Sequence, residues 1–560
     1  MQQYKLMDTD VLVIGSGGAG LRAAIEAFDV GVKVLIISKS GIGKAHTINA
    51  EGGVNAALGN VDKEDNWKIH YEDTLKEGHY LSNKKMAEIL VKEAIDSVLE
   101  LARWGLPFNK TNEGKLDQRY FGAHSYRRTC YAADRTGLAI LKTLIKQVKK
   151  RKIKYIDGII VTSILAKSNF VYGVTCVNFK TGEFFVIQAK AIILATGGFT
   201  RVYKVSTHPE ESYGDGIAMA YRIGTELQDM EMIQFHPTGM AFPAKYRGIL
   251  ATEALRGEGA KLYNSKGERF MGKYDAKRME LSARDIIARA IYTEIEEGRG
   301  TKNNGVWLDI THLDPKVIKK KLPKMYKQFL KLAKTDITKE KIEVTPTAHY
   351  SMGGIKVNST TTETKTRGLF VAGEISAGLH GANRLGGNSL AETLVFGRRA
   401  GVFAAKLAKK TKFQEMDLAR IKKEYKRITS PFKRGRKLEI TEHMLKEKVR
   451  KVMWEYAGVK RDEKMLKLGL NEINKIKKLA NKISVSGSLK RNHGWLDFLD
   501  TDNMLVVCEA IVRSALMRKE SRGAHWRSDY LEKNDKEWLV NIICRQVNGK
   551  MLLEKAKVIL

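Results

Sequence analysis

Short apolar runs alternate with polar stretches of helical period along this chain. Asp10-Val-Leu-Val-Ile-Gly15 has the length and composition of a buried parallel strand. Ser16 to Ala27 continues as a helix with Gly20 near its start, and Lys33-Val-Leu-Ile-Ile-Ser38 reads as a second strand. The three make one β-α-β unit, the entry to a doubly wound sheet. Val61 to Arg103 is mostly helical by period, and Tyr155 to Lys190 reads as a run of strands with a tight turn at Lys180-Thr-Gly-Glu183. Ala191-Ile-Ile-Leu-Ala-Thr-Gly-Gly198 and Gly368-Leu-Phe-Val-Ala-Gly373 are further buried strands that end in small residues. The nucleotide-binding α/β domain is therefore expected in two parts, 1–240 and 343–412, with an insertion at 241–342. From Phe413 the pattern turns helical and highly charged, giving a helical domain at 413–519 and a tail at 520–560.

The length, 560 residues, suits about three domains at roughly 100–200 residues each. The formal net charge of +35 invites a nucleic-acid reading, and equally fits an anionic substrate drawn in by the field. Lysines are spread along most of the chain. The densest run, Lys409 to Lys451, reads as helix faces without the aromatic interleaving of a base-stacking platform, so no nucleic-acid partner is expected. Cys130, Cys176, Cys508 and Cys544 form no Cys-x-x-Cys pair, which argues against a disulfide scaffold and against iron–sulfur ligation within the chain. No metal site is expected, and a reducing compartment is the natural setting. Met1 to Asp10 carries no apolar signal segment, and no stretch approaches about 18 uninterrupted apolar residues. The expected location is cytoplasmic, with any attachment to the cytoplasmic face of a membrane made through partner subunits.

Gly15-Ser-Gly-Gly-Ala-Gly20 is a G-x-G-x-x-G that leaves a strand and opens a helix. Gly15 permits the tight turn, Gly17 lets backbone approach a pyrophosphate, and Gly20 lets helix and strand pack closely. Gly18 and Ala19 complete the candidate cofactor turn, whose helix N-terminus favours phosphate charge. The acidic ribose partner usual after the second strand is missing; Ser38-Lys39-Ser40 stands there, and a serine hydroxyl can bond a ribose. The returning Ala-Thr-Gly-Gly strand and the late Val-Ala-Gly-Glu strand suit FAD, a long cofactor gripped by several strands.

Further motifs follow in order: His46-Thr-Ile-Asn-Ala-Glu-Gly-Gly53, Ala133-Asp-Arg-Thr-Gly137, Gly214-Asp-Gly216, Gln234-Phe-His-Pro-Thr-Gly239, Thr252-Glu-Ala-Leu-Arg-Gly-Glu-Gly259 and Ser282-Ala-Arg-Asp285. His349-Tyr-Ser-Met-Gly-Gly354, Gly381-Ala-Asn-Arg-Leu-Gly-Gly-Asn-Ser-Leu390 and Arg518-Lys-Glu-Ser-Arg-Gly-Ala-His525 complete the set. Over nearly the whole chain they resemble the succinate dehydrogenase/fumarate reductase flavoprotein subunits. The resemblance implies an FAD-binding domain, an inserted α+β capping domain, a helical domain and a small tail. It implies that His349 and Arg384 hold one carboxylate of a C4 dicarboxylate, and His236 and Thr252 the other. A guanidinium suits this task because it grips a carboxylate through two parallel bonds. Arg284 matches the family's proton shuttle, with Glu253 and Arg256 as its relay; the plain alternative for Arg284 is an ordinary salt bridge to Asp285 or a similar neighbour. Asp215 and Glu374 match FAD contacts, as do Thr47, Gly52 and Gly53. Ser389 and Leu390 open a helix whose dipole would stabilise negative charge on the reduced ring. Many members attach the flavin covalently through a histidine at the place of His46, whereas soluble relatives bind FAD without that bond.

The family's flavoproteins pass electrons to an iron–sulfur partner subunit, expected here near Arg518 to His525 and the basic helical domain. A thiol-driven fumarate reductase would use the same flavoprotein subunit. L-Aspartate oxidase shares the fold and the carboxylate clamp. Against it stand His46, Met352, and Phe121 in Phe-Gly-Ala-His-Ser125, where a glutamate would greet the substrate ammonium. An unpaired buried ammonium would be costly.

Overall fold

The computed structural model describes residues 4–434 and 439–559. Its largest sheet has seven strands. Lys5–Ile14 lies in the middle, parallel to Val34–Ser38 on one side and to Phe184–Leu194 on the other. Val34–Ser38 pairs in turn with Lys154–Asp157. Phe184–Leu194 is shared between two partners: its first half takes the antiparallel strand Phe170–Asn178, and its last three residues pair in parallel with Leu369–Val371. The short apolar runs are strands buried on both faces. Strand alternation sends Leu12 and Ile14 into one core and Val11 and Val13 into the other. Helices Gly18–Asp29 and Asn388–Lys410 pack together over the second core. Helices Glu442–Tyr456, Glu463–Ala480 and His493–Met517 build the first core out on the opposite face. In the lysine-rich run, Leu418–Thr429 is a helix with Ile421 and Ile428 buried, while residues 435–438 lie outside the described residues.

The insertion has its own core and an antiparallel sheet in the order Ile233–Met240, Ile342–Ser351, Val306–Asp309, Lys261–Tyr263. Two of these strands begin or end outside 241–342 and cross between the bodies. Phe235 and Ala348 pack in the main core, whereas Met240 and Val344 pack in the insertion's core. His236 and His349 are thus carried on paired strands at the junction. The tail is a hairpin, Val540–Val547 with Lys550–Lys557, which joins Leu227–Gln228 and Gly354–Ile355 in a four-stranded sheet. Several side chains of the segment Arg518 to His525 are tied inward. Arg518 bonds Glu231 at 2.7 Å and Glu520 at 3.0 Å, Arg522 bonds Glu520 at 2.7 Å, and Arg518, Arg522 and His525 are buried. Buried guanidiniums persist only when paired, so these side chains fasten the C-terminal segment to the core. Among the described residues no helix is long and apolar enough to cross a membrane.

Candidate active site

A long cleft runs from the first strand ends to the junction with the insertion. At one end is the glycine turn. Gly15 has φ +114°, and a Cβ there would stand 2.2 Å from the Ala195 carbonyl oxygen; one on Gly20 would stand 2.0 Å from the Gly15 carbonyl oxygen. These contacts seat the helix N-terminus against the strand ends, with Gly15, Gly17, Gly18 and Ala19 lining the cleft and Gly20 packed behind them. The Gly18 amide donates to Thr47 Oγ1 at 3.2 Å. Ser38, Lys39, His46, Thr47, Gly52, Gly53, Asp215, Glu374, Ser389 and Leu390 also line the cleft. Ser38 donates to Asp157 Oδ1 at 2.6 Å, so the neighbouring strand supplies the carboxylate that the second strand lacks. Lys39 is ion-paired to Asp500 at 2.7 Å. Burial opposes its charge, but Asp500 and Asp215 outweigh it and hold its pKa above the usual lysine value. A cradle intolerant of Cβ atoms, opening a helix and extending beside a long cleft, fits a dinucleotide of the size of FAD.

His46 stands on a short 3-10 turn, His46–Asn49, with Nδ1 3.5 Å from Glu374 and Nε2 3.3 Å from Thr207 Oγ1. Its ring lies 3.8 Å from that of His208, which itself bonds Glu374 at 3.1 Å. Burial, then His208, pushes His46 down to about 4, so it is neutral at physiological pH. Burial works against the Glu374 charge, but His208 and His46 outweigh it and hold the carboxyl well below the usual range.

The other end of the cleft is lined by His236, Thr252, Glu253, Arg284, His349 and Arg384. Thr252 caps the short helix Glu253–Gly257. Arg284 bonds Glu253 Oε2 through Nη2 at 2.6 Å and through Nε at 2.8 Å. Arg256 sits behind, off the cleft, 3.9 Å from the same carboxylate. Burial raises the Glu253 pKa, but Arg284 and Arg256 outweigh it, so Glu253 stays ionised far below the usual range. Asp285 is ion-paired to Arg289, at 3.0 Å, so the salt bridge that Arg284 makes is to Glu253 and not to Asp285. The His236 and His349 rings are 5.1 Å apart, and burial followed by neighbouring cations keeps both neutral. Arg384 stacks over the Tyr350 ring at 4.2 Å, and its buried Nε has no acceptor among the described residues. Burial and then Arg284 pull its pKa down to about 10. A small anion would relieve both the crowding of cations and the vacant donor.

The family model for an FAD binding domain matches residues 10–390, and that for the fumarate reductase flavoprotein C-terminus matches 446–560. The chain belongs to the succinate dehydrogenase/fumarate reductase flavoprotein family. It is 45% identical to an uncharacterised FAD-dependent oxidoreductase of Methanocaldococcus jannaschii, over 98% of each chain. It is 43% identical to one of the subunits of the fumarate reductase (CoM/CoB) of Methanothermobacter marburgensis, again over 98% of each chain. Among solved structures, the Escherichia coli quinol fumarate reductase is 32% identical, with TM-score 0.93, covering 99% of this chain and 97% of that one. As a member of this family, the chain is an FAD-dependent oxidoreductase with the doubly wound domain, inserted cap and helical domain that its motifs imply.

Thr207, His208 and Asp157 carry no motif of their own and join the site only through the fold. The flavoprotein's buried neutral histidines should also make it acid-labile. Burial, then Arg128, pushes His70 and His124 each to about 3. A pKa below the unfolded value means that the unfolded state binds the proton first. Stability is then full above about pH 6.5 and falls towards pH 3 by roughly 1.4 kcal/mol per pH unit per histidine. Thermal melts should show Tm flat from pH 8 to 7 and dropping steeply below 6.5; a flat Tm down to pH 5 would contradict this.

Proposed function

We propose that this flavoprotein interconverts succinate and fumarate, with Arg284 exchanging the proton and Glu253 and Arg256 completing its relay. The carrying observation is the buried order Arg284–Glu253–Arg256 opening on a cleft that also holds Arg384, His236 and His349. FAD bound along the cleft would supply two-electron hydride chemistry. Arg384 and His349 hold one carboxylate, and His236 and Thr252 the other. Two cationic or donor groups at each end fix the dicarboxylate in one orientation and exclude monoacids from productive binding. Glu253 keeps Arg284 pointed at the substrate and compensates its charge. Phe121 lines the same cleft, so an amino group placed there meets a ring and no carboxylate at that position.

Electrons leave to an iron–sulfur partner, since the chain's cysteines are four separated, buried thiols. The chain works in the cytoplasm, and any membrane attachment comes through partner subunits. Relatives of both kinds, named fumarate reductases and succinate dehydrogenases, match along almost the whole chain, so potential and partner set the direction. Tethering of the flavin through His46 is the finer proposal, favoured by a neutral ring fixed between Glu374 and Thr207. Acid precipitation of the holoprotein should leave yellow flavin in the pellet, and His46→Ser should release it to the supernatant; release from the unaltered protein would refute the tether.

The activity test is fumarate reduction by the FAD-loaded protein with a reduced viologen dye, run beside aspartate-dependent peroxide formation. Turnover of fumarate blocked by malonate, with no peroxide from aspartate, is the expected result. The reverse pattern would make the protein an aspartate oxidase.

A further inference from the structure

Three residues of the motifs around the substrate groups have no role in the mechanism above: Gln234, Asn383 and Asp285. They form one buried chain of hydrogen bonds. Gln234 Oε1 accepts from Arg284 Nη1 at 3.1 Å and from Arg384 Nη2 at 2.9 Å. Gln234 Nε2 donates to Asn383 Oδ1 at 2.7 Å. Asn383 Nδ2 donates to Glu77 Oε1 at 2.7 Å and to Asp285 Oδ1 at 3.0 Å. Gln234 and Asn383 are 0% and 1% exposed, so neither amide can turn to water for a substitute.

The chain has a direction imposed from its ends. Guanidiniums only donate and carboxylates only accept. With carboxylates at one end, Asn383 must turn its NH2 towards them and its oxygen towards Gln234. Gln234 must then turn its own oxygen towards the two arginines. Neither amide can flip without leaving two donors or two acceptors face to face in a buried site.

We infer that Gln234, oriented through Asn383 by the Glu77–Asp285 carboxylate pair, is the positioning residue that holds the proton-donating Arg284 and the carboxylate-clamping Arg384 at a fixed separation. This rests on the dicarboxylate reading. One oxygen shared by two cations sets how far the carboxylate-binding group stands from the proton donor, which is the geometry that a C4 diacid must match. It also holds the two positive charges close together in a buried site. Burial, followed by the charge of Asp285, raises Glu77 to about 8, as expected of two carboxylates sharing one amide donor pair. The protonated form of Glu77 still offers an acceptor oxygen, so the direction of the chain survives near neutrality.

The test uses the FAD-loaded protein, with malonate affinity read from the flavin spectrum and fumarate turnover read with a reduced viologen. Gln234→Leu should weaken malonate binding by roughly 10- to 100-fold, the weight of one hydrogen bond to a charged group, and lower kcat as well. Glu77→Ala does not touch Gln234, and should weaken malonate by about 3- to 10-fold. In the Gln234→Leu background that second loss should vanish, because the chain through which it acts is cut. Additive losses would mean that Glu77 acts through space or on packing, and would overturn the inference, as would unchanged malonate affinity in Gln234→Leu. If Gln234→Leu loses its flavin or its cooperative melt, Gln234→Met, with a side chain of similar volume, carries the same cycle with the same outcomes. Failure of the unaltered protein to bind malonate or reduce fumarate would sink the dicarboxylate reading itself. Turnover that collapses in Arg284→Ala yet ignores Gln234 would sink the positioning chain alone.

Discussion

Arg284→Ala is expected to lower fumarate reduction by roughly 10³-fold or more, within the 10²–10⁴ that a positioned general acid contributes, plus the lost orientation of substrate. Arg284 lines the cleft and takes two bonds from its guanidinium to one Glu253 oxygen, while Arg256 stands 3.9 Å from that same oxygen. Removing the arginine therefore deletes the proposed proton donor and also strands Glu253. That carboxylate is 4% exposed and, among the described residues, keeps the Gly122 amide, at 3.0 Å, and the more distant Arg256. A buried charge left without its partner costs about 3–5 kcal/mol, so a lower Tm should accompany the lost rate. Arg284→Ala combined with Glu253→Gln separates the effects: Tm should recover in large part, because the stranded charge is gone, while turnover stays lost. Recovery of turnover in the double variant would show that Arg284 is needed only to neutralise Glu253. Malonate affinity should fall far less than kcat, since Arg384, His349 and His236 remain in place.

Much of this arrangement could be read from the chain because its parts are local. The glycine turn, the buried strands and the helix opening at Asn388 are each encoded within about a dozen residues. The substrate motifs are identified by their resemblance to the family, and all of their assigned members except Arg256 line the cleft. What sequence reasoning missed consists of contacts between distant segments. Ser38 meets Asp157 across 119 residues, and Lys39 meets Asp500 across 461. No periodicity carries such pairings. The tail escaped for a similar reason: its strands alternate weakly, and their pairing partners Leu227–Gln228 and Gly354–Ile355 are two residues long. The arginines of Arg518 to His525 are a further case: Glu231 and Glu520 draw them inward, and nothing nearby in sequence identifies Glu231 as a partner.

Gly20→Ala should abolish flavin binding. The added methyl carbon would lie 2.0 Å from the Gly15 carbonyl oxygen and 2.9 Å from its carbonyl carbon. Both are backbone atoms, in a turn already held by the Gly15 amide bonding the Ile37 carbonyl at 2.9 Å. No flexible side chain is there to yield, so helix Gly18–Asp29 must move off the sheet. That helix cannot move freely, because Asn388–Lys410 packs along it, with Gly397 and Gly401 set against Ala19 and Ala23. The displacement would fall on the N-terminal turn, whose amides are the proposed phosphate-binding groups, and overpacking of this kind costs about 1–3 kcal/mol before any ligand is lost. The purified variant should lack absorbance near 450 nm and should not regain it on incubation with excess FAD, while its far-ultraviolet circular dichroism stays close to that of the unaltered apoprotein. Gly17→Ala is the informative companion. Its methyl group would meet the Ala45 side chain at 3.2 Å and Thr47 Oγ1 at 3.6 Å, so the fold can absorb it. Loss of flavin in Gly17→Ala would then come from blocking the approach of the pyrophosphate to the backbone, whereas loss in Gly20→Ala would come from the helix itself. Full flavin content in Gly20→Ala would mean that the turn has slack which these distances deny.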